Sequence, residues 1–331
     1  MAALEIQRKN VLAFAFEVYM DINSAEEVKT SAGLAADDAQ ARINSHFRTI
    51  ASDWDEVYRS CTVFGAIHQH RLTAVLSLVD QLRLAEGSPV LDIGCGAGLV
   101  TTALAQRRYE VDAVDSVEAM IHLTRERVHC SDATGVVRTS LGDIQNLAFS
   151  NDTFLLALAI GVLPWLATPH RALREMKRVT RPGGHLIFTM DNRWRLNQVV
   201  DPMHSPLFGP LRILLRILFY LSGLRRVRNA LRRKAIPRVS QAGSGICAHF
   251  HSLREVRRIS TGIGVEIIKL VPLGFGPFSL FNRSVFCEET GIRLHTKLQR
   301  FCDRGAPGIG RVGAQFLILA KKPTVDSARS E

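Results

Sequence analysis

Residues 90–98 read Val-Leu-Asp-Ile-Gly-Cys-Gly-Ala-Gly. A short apolar run ends at Asp92, and three glycines follow at alternate positions, Gly94, Gly96 and Gly98. The pattern predicts a buried strand, a tight turn and the start of a helix. Glycines let a backbone approach a ligand where a side chain would collide. A helix N-terminus beyond the turn presents unpaired N–H groups and a partial positive charge. Alone, a glycine-rich strand–turn–helix is shared by several classes of cofactor-binding protein, and residues further along the chain decide between them.

Downstream, Glu110-Val-Asp-Ala-Val-Asp115 predicts a second short strand ending in a carboxylate 21 residues after Gly94. That is close to the ~20-residue spacing at which an acid meets a ribose diol. Gly142-Asp143-Ile144 follows a third predicted strand over residues 136–140. The run Phe154 to Val162 is almost wholly apolar and reads as a central strand buried on both faces. A helical pattern (Ala172, Leu173, Met176, Val179) leads to Arg181-Pro182-Gly183-Gly184 and a strand from His185 to Met190.

In that order these motifs resemble the class I S-adenosylmethionine (SAM) methyltransferases, within them the small-molecule branch that includes the ubiquinone and menaquinone biosynthesis enzymes. The likeness covers roughly residues 45–191 and resumes near residue 250. It implies an α/β fold: a Rossmann-like seven-stranded sheet with its last strand antiparallel, flanked by helices. It also implies SAM as cofactor and an EC 2.1.1 methyl-transfer activity. An NAD-type dehydrogenase usually shows Gly-x-Gly-x-x-Gly. Here Gly98 follows Gly96 by two positions and Leu99 takes the next, which counts against NAD. A glycine-rich turn without a ligand is the remaining alternative.

The resemblance implies roles residue by residue. Gly94, Cys95, Gly96 and Gly98 pass beside the methionine part of SAM, with Asp92 fixing the loop. Asp115, followed by Ser116, accepts from the ribose hydroxyls, as a two-oxygen acceptor can. Met120 and Ile144 flank the adenine, and Asp143 accepts from its amino group. Ile160 and Gly161 line the cofactor and open toward substrate. For Met120 and Ile144 the competing reading is core packing; for Asp143 it is a loop or helix cap. Residues 46–58, with Phe47, Trp54 and Tyr58, resemble the entry helix of the quinone-type enzymes, and Trp54 and Tyr58 are candidate lid residues. Hydrophobic docking of an N-terminal helix reads equally well. Trp165, Phe275 and Phe278 are candidates for the substrate wall.

A general base is needed for a phenol, less so for an amine or an activated carbon. The candidates are His249, His251, His170 and Asp191, each also readable as a hydrogen-bonded structural residue. His68-Gln-His70 resembles a metal pair only in spacing and lacks a third ligand, so no metal is expected.

The chain has 331 residues and 47% hydrophobic content, which suits a globular protein with a sizeable core. Six cysteines are scattered without a CxxC. Reduced thiols in a cytoplasmic protein are the expectation. The apolar run Val11 to Tyr19 is short and carries Glu17, so it does not read as a secretory signal.

The net charge of +11 is concentrated. Residues 193–240 hold eleven basic residues against one acid, Asp201. Between the strand ending near Met190 and the capping-box pattern Ser252-Leu-Arg-Glu255 lie about 60 residues, too many for an ordinary connection. Residues 192–250 therefore read as an inserted helical cap, basic and apolar. Residues 207–224 carry two arginines and Pro210, which argues against a spanning helix. Peripheral contact with an anionic membrane through residues 207–238 and a simple cover over the pocket are both open readings. Nucleic acid fits less well, because the arginines alternate with aliphatic residues and the stretch Gly161-Val-Leu-Pro-Trp165 lacks the base-methylation signature.

The expected organisation is an N-terminal helical lid (1–75), a SAM-binding core (76–191), the cap (192–250), C-terminal completion of the core (251–323) and a tail (324–331). The function expected is methyl transfer from SAM to a small lipophilic acceptor of quinone-precursor, lipid or glycolipid type. A SAM-binding scaffold without turnover and a nucleic-acid methyltransferase are the alternatives.

Overall fold

The computed structural model describes residues 36–166, 168–200, 248–280 and 283–324. Of the segment expected to form the cap (192–250), residues 201–247, including 207–238, lie outside the described residues.

Three helices come first: α1 (Ala36–Thr49), α2 (Ala51–Arg59) and α3 (Val63–Leu82). Thr62 caps α3 by accepting the Gly65 N–H, and α3 runs without a break across position 75. Strand and helix then alternate: β1 (Pro89–Ile93), α4 (Leu99–Ala105), β2 (Glu110–Asp115), α5 (Glu118–His129), β3 (Val137–Leu141), β4 (Phe154–Ala159), α6 (Pro169–Val179) and β5 (Thr180–Asn192). The short α7 (Leu196–Val200) precedes the undescribed stretch, and β6 (Phe250–His251), α8 (Leu253–Ile263) and β7 (Glu266–Leu273) follow it. A small hairpin, β8 (Ser279–Leu280) with β9 (Arg283–Ser284), leads to α9 (Glu288–Asp303) and the final β10 (Gln315–Lys321).

The main sheet has the order β3-β2-β1-β4-β5-β10-β7, with β6 added at the end of β5. Strands β1 to β5 are parallel, and β10 runs antiparallel between β5 and β7. The expected seven strands and antiparallel last strand are therefore present. The eighth, β6, pairs with Asp191 and Asn192, beyond the point where β4 stops.

Alternation along the strands builds two cores. Leu91, Ile93, Phe188, Phe316 and Ile318 point to one face and pack with Leu173 and Met176 of α6 and Val256 of α8. Val90, Leu156, Leu158, Ile187, Leu317 and Leu319 point to the other and pack with Val75, Leu78 and Val79 of α3 and Leu104 of α4. Burial on both faces explains why β1 and β4 read as continuous apolar runs. The Ser252–Glu255 capping box forms with both of its hydrogen bonds and starts α8.

Two boundaries differ from expectation. The strand starting at Phe154 stops at Ala159, because Gly161 turns the chain at φ +77°. Arg181-Pro182-Gly183-Gly184 does not end before a strand; it lies inside β5 as an irregularity, with Phe154 opposite Thr180 and Leu156 opposite His185. The backbone there is held by β10's continuation, Gly183 N–H donating to Lys322 and Lys322 N–H to Gly184.

After β1 the chain moves outward through β2 and β3, then returns to the other side of β1 with β4. In an open parallel sheet, the crevice beyond the strand ends at that reversal is where ligands bind.

Candidate cofactor and substrate site

A cleft of about 1030 Å³, open to solvent at its mouth, lies at this reversal. Its floor is the loop after β1, with Gly94, Cys95 and Gly96. The loop's backbone requires glycine, since Gly94 and Gly96 have φ of +66° and +56°. A Cβ on Gly96 would meet nothing nearer than the Trp54 indole nitrogen at 3.9 Å, so this face of the loop is bare backbone turned to the cleft.

Asp115, at the end of β2, ties this floor together. Its Oδ2 accepts the Gly96 N–H at 3.0 Å and its Oδ1 accepts the Val117 N–H at 2.9 Å. The carboxylate lines the cleft, and burial pushes its pKa up against those backbone donors. Behind the loop, the Thr101 hydroxyl donates to Asp92 at 2.6 Å. Burial pushes the Asp92 carboxyl up to about 6. Burial, with the two nearby carboxylates, also holds the Cys95 thiol well above its usual range, so it is an inert wall group.

The Asp92 shift has a testable consequence. With its native pKa raised, the folded state holds the proton more tightly than the unfolded chain between about pH 4 and 6. Stability is therefore lost as pH rises through that window, by about 3 kcal/mol at pH 7. Asp92→Asn keeps an acceptor for Thr101 and removes the charge. It should be more stable than the wild type in urea unfolding at pH 7, with the gap closing near pH 4; a gap independent of pH would overturn the assignment.

Met120 and Ile144 are 3% and 6% exposed and line one end of the cleft with Val117, Ser116 and Asp143. Asp143 is exposed, and its Oδ1 accepts the Gln145 N–H at 2.9 Å. The Ser116 hydroxyl donates to Asn44 at 3.1 Å, joining α1 to the loop after β2. Ile160 and Gly161 line the other end, where the Gly161 N–H donates to the Thr189 hydroxyl at 2.7 Å.

The roof is aromatic. Phe47 packs edge-on against Trp54 at 6.0 Å and against Trp165 at 5.3 Å between ring centroids. Trp54 and Tyr58 both border the cleft. Behind them His68 is buried against Phe64, Trp54 and Tyr58. Its Nδ1 lies 2.9 Å from the Phe64 carbonyl, and burial holds its pKa well below the usual value. His70 instead faces His295.

Other candidates lie apart from the wall. Gly98 is the residue before α4, φ +78°, and a Cβ there would come within 2.9 Å of the Thr124 backbone. Its glycine serves the close approach of α4 and α5. Phe275 is fully buried, and Phe278 packs on Phe286 at 5.9 Å. His249, His251 and His170 lie outside the cleft lining. The His249 N–H donates to the carbonyl of Pro164, and burial lowers the His251 imidazole to about 4. Asp191 is 5% exposed behind the wall, where Gln315 Nε2 donates to it at 2.8 Å.

Arg71 of α3 is the wall residue that sequence reading missed. Its Nη2 donates to the Tyr58 hydroxyl at 3.0 Å and its Nη1 to Gln315 Oε1 at 3.4 Å. The available signal was its spacing: Arg71 stands four residues from both Ile67 and Val75, on the stripe that faces the core. Gln40, Ile43 and Asn44 of α1 also border the cleft. They were missed because nothing local marks a helix that packs over a distant strand end.

A methyltransferase-domain family model matches residues 91–188. The fold is that of the class I methyltransferases, a class whose cofactor is SAM. Among curated relatives, a ubiquinone biosynthesis O-methyltransferase of Alkalilimnicola ehrlichii is 29% identical over 164 residues, 48% of this chain and 64% of the relative. A ubiquinone/menaquinone biosynthesis C-methyltransferase of Idiomarina loihiensis is 32% identical over 162 residues, 47% of this chain and 62% of the relative. The chain thus spans somewhat under two thirds of these relatives. Among solved structures, the magnesium protoporphyrin IX methyltransferase of Synechocystis with bound SAH superposes with a TM-score of 0.54 at 15% identity, covering 86% of this chain and 99% of that one.

Proposed function

We propose that the protein is a SAM-dependent methyltransferase acting on a small, lipophilic acceptor of quinone-precursor, lipid or glycolipid type. The observation that carries this reading is the joined floor of the cleft: bare glycine backbone at Gly96, fastened to an Asp115 carboxylate that still has lone pairs to offer. When bound, the cofactor would supply an electrophilic methyl group on a sulfonium sulfur, which would leave as a neutral thioether once the methyl is transferred.

The chain's own residues bind, orient and exclude water. Asp115 accepts from the ribose diol, while Met120 and Ile144 enclose the adenine and Asp143 accepts from its amino group. The backbone of Gly94 to Gly96 lies along the methionine part. Arg71, buried and with neutral hydrogen-bond partners among the described residues, suits the methionine carboxylate, since a desolvated guanidinium gains most from an anionic acceptor. Phe47, Trp54 and Trp165 offer an apolar wall to the acceptor.

Labelled-methyl transfer tests the reading. Incubation with SAM carrying a labelled methyl group and a membrane lipid extract should put label into the extract. Saturable SAM binding without transfer to any extract would favour the scaffold. Label in RNA or DNA would favour nucleic-acid modification.

The site of action proposed is the cytoplasm, with peripheral contact between the basic, apolar residues 207–238 and an anionic membrane. The sequence of that segment supports this, as do described cysteines that are all free. No helix among the described residues is long and apolar enough to cross a membrane. Binding to phosphatidylglycerol vesicles should weaken with salt and on replacing Arg225, Arg226, Arg232 and Arg233 by Gln. Equal binding by both proteins would refute the contact.

A further inference from the structure

Arg71 is 5% exposed, and its charge must be compensated inside the fold. Among the described residues no carboxylate lies within ion-pair distance of it. Asp191, whose charge is shared with the buried Arg195, is joined to Arg71 by hydrogen bonds through one intermediate. Gln315 Oε1 accepts from Arg71 Nη1 at 3.4 Å, and Gln315 Nε2 donates to Asp191 Oδ1 at 2.8 Å.

Strand topology makes this bridge. β10 is antiparallel to β5, so its first residue lies at the end of the sheet where the parallel strands finish. Gln315 stands directly opposite Asp191 in the register. Opposed residues of an antiparallel pair share a face, which turns the amide and the carboxylate to the same side, toward α3. On the other flank, Gly161 keeps room for the guanidinium: a Cβ there would sit 3.1 Å from Arg71 Nη1.

A direct Asp191–Arg71 pair would occupy the guanidinium fork and spend its charge internally. A neutral amide between them polarises toward Arg71 yet leaves the fork's remaining donors available. We infer that Gln315 and Asp191 are positioning residues for Arg71, fixing the orientation in which it receives the carboxylate of the cofactor. This rests on the cofactor reading above, and extends it to two residues on strands that do not line the cleft.

The test compares SAM with decarboxylated SAM, which keeps the adenosine, sulfonium and ammonium groups, by calorimetric titration. The wild type should prefer SAM. Gln315→Met keeps the side-chain length and loses both polar ends; it should weaken SAM about tenfold, the size of one charge-assisted hydrogen bond, and leave decarboxylated SAM unchanged. Asp191→Asn keeps an acceptor for the Gln315 amide and removes the charge behind it; it should lose part of the preference for SAM in the same direction. A loss shared equally by both ligands, or no loss in Gln315→Met, would overturn the positioning role. A wild type that binds both ligands alike would overturn the Arg71–carboxylate contact and this inference with it. A wild type that binds neither would instead refute the cofactor reading itself.

Discussion

Asp115→Asn should raise the dissociation constant for SAM by about 100-fold or more. Each Asp115 oxygen already accepts one backbone N–H, from Gly96 and from Val117. Each therefore keeps a further lone pair, enough for one ribose hydroxyl apiece. An asparagine has a single acceptor oxygen, so in either amide orientation an NH2 group faces a backbone donor. The substitution removes an acceptor for the ligand and loosens either the glycine loop or the start of α5. Two hydrogen bonds to a charged group at about 1.5–3 kcal/mol each give the expected loss. Burial raises the Asp115 pKa, so wild-type affinity should begin to fall at a higher pH than for an ordinary aspartate, as protonation removes the acceptor. Calorimetry on both proteins checks this, and an unchanged constant in Asp115→Asn would show that the ligand does not use this carboxylate.

Gly96→Ala and Gly98→Ala should fail in different ways. Both positions have positive φ, which costs a residue with a Cβ about 1–2 kcal/mol. At Gly96 the added methyl enters the cleft without meeting protein. Folding should survive with a small loss, while SAM affinity should fall sharply because the methyl occupies the ligand's side of the loop. At Gly98 the methyl would come within 2.9 Å of the Thr124 Cα. Thr124 is fully buried and its hydroxyl donates to the Gly96 carbonyl at 2.8 Å, so it cannot move without pulling the loop. Overpacking adds about 1–3 kcal/mol to the backbone strain. Thermal unfolding of Gly98→Ala should therefore drop by on the order of 5–10 °C, much more than for Gly96→Ala. Equal drops in the two variants would mean that Gly98 does not set the distance between the helices.

Much of the fold was readable from local patterns. Largely apolar runs mark β1 and β4, because a strand covered on both faces must be mostly apolar, while β2 is marked by alternation that ends in Asp115. The capping box of α8 was readable because its two hydrogen bonds are made within four residues. The floor of the cleft was readable for the same reason: glycine loop and acid are joined by short chain segments and a fixed parallel register. The strand boundary at Arg181 was misread because the local signal for a turn is also the signal for an irregularity in a long strand. Only the pairing of β10 with β5 decides which it is.

The base candidates show where such reading stops. His170, His249 and His251 have suitable chemistry, but none lines the cleft: His170 stands in the first turn of α6, and the position of His249 and His251 depends on how β6 is added to the end of β5. Asp191 ends β5 as expected, yet its carboxylate meets Gln315 instead of the cleft, because β10 comes up beside it.

The sequence by itself determined the parallel half of the sheet, the glycine loop and the carboxylate that fastens it, since each is specified by residues close along the chain. Only the tertiary structure decided the roof and the buried cation. Phe47, Trp54 and Arg71 come from helices ahead of β1, and Gln315 from a strand more than 200 residues later. Their meeting depends on helix packing and on the reversed direction of β10, which brings a chain from the far end of the protein to the same edge of the sheet.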